Sequence, residues 1–78
     1  MGEVTIHKDE RTTTRAEAAA DLRRLADELE AGTINYGTGS LAVPEQLTRE
    51  IEIEREDKGS VVKYEVEVEL EWSTGNTG

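Results

Sequence analysis

Two long alternating segments constrain the fold of this chain more than any other feature. Residues 47–56 read LTREIEIERE and residues 61–72 read VVKYEVEVELEW. Charged and apolar side chains alternate along both segments, which is typical of β-strands with one buried face and one wet face. The four residues between them include Gly59, which indicates an antiparallel hairpin. The sequence therefore predicts a hairpin with one apolar side and one side rich in glutamate.

The hydrophobic pattern also predicts the register of this hairpin. A two-residue loop at Lys58-Gly59 would place Ile53 opposite Tyr64, so that the apolar faces of the two strands coincide. The same loop would place Glu52 opposite Glu65. Directly opposed like charges destabilise a sheet, so we expect this hairpin to be weakened by repulsion in dilute buffer.

The overall charge indicates the ionic strength of the solvent in which the protein functions. Eighteen Asp and Glu residues face nine Lys and Arg residues, which gives a formal net charge of −9. At about 1 M salt the Debye length falls to ~3 Å, and the repulsion is largely screened. We therefore predict an acidic, halophilic protein of a salt-rich cytoplasm. The same charge repels phosphate backbones and anionic lipids, which argues against nucleic-acid and membrane binding.

A single amphipathic helix is predicted from Arg15 to Ala31. Thr14 and Glu17 have the spacing of a capping box, and Gly32 stands where a left-handed C-terminal cap belongs. The apolar residues recur at helical spacing and leave the charged residues on the opposite side.

The remaining segments complete an α+β pattern. Residues 3–8 alternate like a short strand, and TINY (33–36) and SLAV (40–43) read as a second hairpin around Gly37-Thr38-Gly39. The predicted order is β-α-β-β-β-β, with the single helix packed on one face of a mainly antiparallel four- to five-stranded sheet. We expect one domain over residues 3–72 and a flexible tail over residues 73–78.

The assembled segments resemble a known family. RAEAAADLRRLADELEAGTI (15–34), VPEQLTREIEIERE (43–56) and YEVEVELEW (64–72) are similar to the Amphi-Trp domain of short archaeal and bacterial proteins. Trp72 would supply the tryptophan that ends the amphipathic stretch. The resemblance implies no assigned reaction and no catalytic residues, and halophilic archaea are frequent sources of the family.

The residue inventory argues against an enzyme. The chain has no Cys, and His7 is its single imidazole, so neither a transition-metal site nor an activated nucleophile is predicted. Carboxylates on an open sheet face stay ionised and do not converge on a point, so we expect diffuse association of cations and no specific metal site. No cofactor is predicted. With no apolar run near 18 residues and no leader, a soluble cytoplasmic protein is expected.

An interaction or accessory module is the predicted function. Trp72 and Tyr64 share the apolar face, and Arg49 and Arg55 lie at its margins. Trp72 either closes the core or anchors a partner, which would be another protein or a second copy in a homodimer. The alternative is a small-molecule or cation-binding domain that uses a helix–sheet pocket or the acidic sheet face.

Overall fold

The computed structural model describes residues 2–75 and shows one helix and four strands. The elements are α1 (Arg15–Ala31), β1 (Thr33–Tyr36), β2 (Gly39–Ala42), β3 (Thr48–Lys58) and β4 (Val61–Glu71). The strands form two antiparallel two-stranded sheets, β1–β2 and β3–β4. The α+β class is confirmed. The prediction of a single four- to five-stranded sheet is wrong, because each strand bonds only to the neighbour that it reaches through a short turn.

Helix α1 has the predicted bounds, with Thr14 and Gly32 as its predicted caps. Thr14 has extended backbone angles, and its hydroxyl accepts a hydrogen bond of 3.1 Å from the amide of Glu17. Gly32 adopts the left-handed conformation at φ 92°, and its amide donates to the carbonyls of Glu28 and Leu29. The Glu17 carboxylate accepts from the hydroxyl of Thr13 at 2.8 Å, one residue before the cap.

The helix packs against the first hairpin within residues 2–43. The amide of Asn35 in β1 donates to Glu28 Oε1 at 2.6 Å, and the amide of Val43 donates to the carbonyl of Gly32 at 2.9 Å. The predicted hairpin is confirmed, but its second strand is Gly39–Ala42 and not 40–43, because Gly39 pairs with Tyr36 and the turn is Gly37-Thr38. Gly37 supplies the positive φ of 45° that this turn requires.

The strand predicted at residues 3–8 is wrong. Residues 2–14 have no regular secondary structure, and Val4 is 83% exposed. Alternation makes a strand only where a neighbouring strand pairs with its amides and carbonyls. This segment instead meets the rest of its unit through side chains: His7 stacks on Tyr36 with ring centroids 5.8 Å apart, and Arg11 bonds Asp21 at 3.0 Å.

The long hairpin has a different register from the predicted one. Lys58 pairs with Val61, so the loop is Gly59-Ser60 and Ile53 lies opposite Val66. The prediction of a Lys58-Gly59 loop is wrong because the first loop position has a positive φ, 65° at Gly59, which only glycine adopts without strain. Because the loop moves by one residue, each residue of β3 pairs with a residue of β4 two positions further along. A change of two residues keeps every side chain on its predicted face.

The chain divides at Val43–Pro44 into two compact units, an N-terminal unit and a hairpin unit. The single domain predicted over residues 3–72 stays a prediction. Of the predicted tail, residues 73–75 have no regular structure and residues 76–78 lie outside the described residues. The helix in the described part of the chain is neither long enough nor apolar enough to cross a membrane.

Candidate interaction surface

The register of β3–β4 sorts its side chains into two faces of opposite character. The acidic face carries three directly opposed Glu–Glu pairs and one Glu–Lys pair: Glu50–Glu69, Glu52–Glu67, Glu54–Glu65 and Glu56–Lys63. The apolar face carries the alternate pairs: Arg49–Leu70, Ile51–Val68, Ile53–Val66, Arg55–Tyr64 and Asp57–Val62. One face is thus mostly glutamate, and the other is mostly apolar with Arg49, Arg55 and Asp57 toward its two ends.

Crowding of carboxylates perturbs the acidic face. The pKa of Glu52 rises from 4.5 to about 7, because its side chain shares a hydrogen bond with Glu54 and meets the negative charge of the same residue. The pKa of Glu69 is also raised, first by a hydrogen bond with Glu71 and then by the charge of Glu50. Both carboxyl groups therefore hold a proton more readily than isolated glutamates do, because their neighbours have the same charge.

The apolar face lies open to solvent. Ile53 is 75% exposed, Tyr64 is 70% exposed and Val66 is 66% exposed. Among residues 2–75 no side chain is buried. A contiguous exposed patch of large aliphatic and aromatic side chains is typical of a surface that binds another molecule.

Two of the predicted site residues face each other one pair from the centre of this surface, on the side of the turn. Tyr64 on β4 lies opposite Arg55 on β3. The guanidinium of Arg55 donates from Nε and Nη2 to Oδ1 of Asp57, at 3.1 and 3.0 Å. The Arg55–Asp57 ion pair places charge at the turn end of the apolar face and leaves Tyr64 exposed to solvent.

The other two predicted site residues lie at the opposite end of the hairpin. Arg49 pairs with Leu70, and the described residues supply no ion-pair partner for its guanidinium. Trp72 directly follows β4 and is half-buried. It lines a surface hollow whose other walls are Pro44, Gln46, Leu47, Thr48, Glu71 and Ser73. The structure thus groups Trp72 with Pro44 and Leu47, and it separates Trp72 from Tyr64 along the strand.

Asp57 belongs to this surface although the alternating segment predicted from the sequence ended at Glu56. It lies two residues beyond Arg55 on the same strand, so its side chain emerges on the apolar face. The signal that could have identified it was the unbroken period of two from Arg49 through Asp57, which continues past the predicted end of the strand.

The structure offers few groups for catalysis or metal binding. The His7 ring lies against Tyr36, and no cluster of three potential metal ligands occurs in the part of the chain that the structure describes. One further hollow lies on the hairpin and has walls of both charges: Glu54, Arg55, Glu56, Lys63 and Glu65. Its mixed lining does not present the converging oxygens that a hard cation requires.

Comparison with known proteins places the chain in a family. No curated protein and no solved structure matches it. The family model described as "Amphi-Trp domain" matches residues 1–78, which is the whole chain. The resemblance rests on the helical segment RAEAAADLRRLADELEAGTI, the Val43-Pro44 dipeptide and the alternating segment that leads to Trp72. The chain therefore belongs to the Amphi-Trp domain family.

Proposed function

We propose that this Amphi-Trp domain is a non-catalytic interaction module that binds another protein chain through the apolar face of β3–β4. The observation that carries the proposal is the exposure of that face, on which Ile53, Tyr64 and Val66 are each at least 66% accessible. Fully burying one such side chain contributes roughly 1.5–3 kcal/mol, so covering the face would release substantial free energy.

The low stability expected of an isolated two-stranded hairpin is a second argument for a bound partner. A two-stranded ribbon is marginal by itself in water, and its stability normally comes from a layer packed on its apolar side. Here the other side is weakened by the opposed pairs Glu50–Glu69, Glu52–Glu67 and Glu54–Glu65. A bound chain on the apolar face would supply the missing layer.

The four site residues take distinct roles in this proposal. Tyr64 offers a large ring one pair from the centre of the face, and Arg55 flanks it with a guanidinium held by Asp57. Arg49 offers an unpaired positive charge at the far end, and Trp72 offers an indole beside Pro44 and Leu47. Tyr, Trp and Arg are the residue types that dominate binding energy at protein interfaces.

A non-catalytic role agrees with the chemistry of the acidic face. The raised pKa of Glu52 comes from like charges on an open ribbon and not from an enclosed cleft.

The acidic face supports a second part of the proposal: the protein works in the salt-rich cytoplasm of a halophilic archaeon, where potassium and other cations associate diffusely with the glutamates and screen them.

Site-specific photo-crosslinking tests the interaction. A benzophenone amino acid replaces Tyr64 on the apolar face, and in a matched variant it replaces the adjacent Lys63 on the acidic face. After irradiation in source lysate at native ionic strength, the Tyr64 variant should form discrete protein adducts and the Lys63 variant should form few. Equal adducts from both positions, or none from Tyr64, would contradict the proposal.

A further inference from the structure

We infer that the chain covering the apolar face is a second copy of this protein, packed face to face and antiparallel about a two-fold axis at Ile53 and Val66. The inference rests on the proposed function, since it names the partner of the same surface. Ile53 and Val66 are a cross-strand pair. A two-fold axis over that pair, midway between the two ribbons, parallel to their planes and perpendicular to the strands, would stack each strand antiparallel on the same strand of the other copy.

One pair of opposite charges on β3 is complementary under this operation. Arg49 and Asp57 lie equally far from Ile53, in opposite directions along the strand and on the same face. The two-fold axis therefore places Arg49 of each copy over Asp57 of the other. Asp57 already accepts from Arg55 at one oxygen, Oδ1, which leaves its second oxygen for the incoming guanidinium.

The apolar residues on β4 are complementary in the same sense. Val62 and Leu70 are equidistant from Val66, so each would meet the other across the interface, and Tyr64 would meet Val68. A residue i that contacts j while j contacts i is the signature of a self-complementary two-fold interface. A partner of unrelated sequence would not require this symmetry.

The acidic face disfavours two other ways of joining two copies. Stacking the acidic faces would bring two rows of glutamates together. Joining β4 to β4 edge to edge would extend the sheet but would place Glu65 beside Glu67 of the other copy, which repeats the repulsion already present. Packing the apolar faces together leaves every glutamate of the ladder toward solvent and brings no glutamates of the two copies side by side.

The size of the face suits a reversible dimer. At about 100 Å² for each large side chain, its six exposed apolar residues offer on the order of 600 Å² per copy. They are Ile51, Ile53, Val62, Tyr64, Val66 and Val68. The flanking arginines bring this close to the about 800 Å² per partner of a standard interface. We therefore expect a dimer whose dissociation is measurable.

Charge reversal tests the cross-copy pair. Sedimentation equilibrium in about 1 M KCl, where the ladder is screened but a partly buried contact pair is screened less, compares the wild type with R49D, D57R and the double variant R49D/D57R. Each single change should raise the dimer Kd by about tenfold, and the double change should restore most of the affinity. R23D, a matched reversal on an exposed helix residue outside the hairpin, should leave the Kd unchanged.

Three results would overturn the inference: a wild-type monomer at every concentration, a double variant no tighter than the weaker single variant, or an R23D effect as large as that of R49D. The wild-type result does not depend on whether any variant folds. A wild-type monomer whose Tyr64 position still crosslinks to a different protein would reject the second copy and retain the interaction function. A wild-type monomer without Tyr64 crosslinks would reject both.

Discussion

Glu52 shows how a neighbouring residue of the same charge can change the chemistry of an exposed carboxyl group. It lies opposite Glu67 and between Glu50 and Glu54 on its own strand. Its pKa of about 7 lies above the ordinary 4.5 because the hydrogen bond with Glu54 and the surrounding charges favour the protonated form. The position is therefore the point on the hairpin at which proton binding and folding are most strongly linked.

The linkage predicts a pH dependence of stability with a definite sign. A group whose pKa is raised by folding binds more protons in the folded state, so stability is greatest below pH 4.5 for this group and falls as the pH rises through about 7. In low salt, about 10 mM, the thermal midpoint should be higher near about pH 5 than near about pH 8. Circular dichroism melting curves measure it, and an equal or higher midpoint at the alkaline pH would contradict the prediction.

Replacing Glu52 by Gln isolates the contribution of this residue. Gln keeps the shape and cannot ionise, so E52Q should raise the thermal midpoint by a few degrees near about pH 8 and change it little near about pH 5. E3Q, in the irregular N-terminal segment, is the matched control and should have no effect at either pH. The prediction fails if E52Q and E3Q behave alike.

At the level of elements, the turn of the long hairpin depends on one backbone angle. Gly59 has φ 65°, whereas no other residue type in the described chain has a positive φ. A β-branched residue in this region costs about 1–2 kcal/mol, so G59V should destabilise the hairpin unit by that amount. Urea unfolding followed by Trp72 fluorescence measures it, with S60A as the neighbouring control. Equal stability of the two variants would show that the turn does not fix the register.

The same turn explains which parts of the fold were predictable. Helix α1 was predicted with its correct ends, because Thr14 and Gly32 are local signals that act on adjacent backbone groups. The residues on each face of the long hairpin were predicted correctly, because the predicted and observed pairings differ by two residues, which is the period of a strand. The loop position was not predicted correctly, because the apolar faces coincide in either register. The two registers differ in whether glycine occupies the first loop position, where φ is positive.

Longer-range features were less accessible to sequence reasoning. The alternation at residues 3–8 could not reveal that no strand pairs with it, since pairing is a property of the partner and not of the segment. The site residues Tyr64, Trp72, Arg49 and Arg55 could be assigned to a face from their spacing. The Arg55–Asp57 pair required the true strand end at Lys58.

Salt should stabilise the hairpin through its acidic face. At about 10 mM salt the Debye length is ~30 Å and the whole ladder repels itself, whereas at about 1 M KCl it is ~3 Å. The thermal midpoint should therefore rise between these conditions. The triple variant E50Q/E52Q/E54Q, which removes the β3 side of all three opposed pairs, should show a much smaller rise. An equal midpoint for the wild type in both salts would contradict the role assigned to the ladder.

At the scale of the whole molecule, the two faces of β3–β4 have opposite requirements. The acidic face is stabilised by ions that screen its glutamates, and the apolar face is stabilised by a second protein chain that covers it. No side chain is buried among the described residues, so on this account the hydrophobic core of the hairpin is completed in the dimer. Folding and association are then one coupled equilibrium.

The most direct test of this central claim is the thermal midpoint of the wild-type protein as a function of its own concentration, at a fixed KCl concentration of about 1 M. If the second copy completes the core, the midpoint rises steadily over a hundredfold increase in protein concentration, because mass action favours the folded dimer. A midpoint that stays constant over that range would contradict the account.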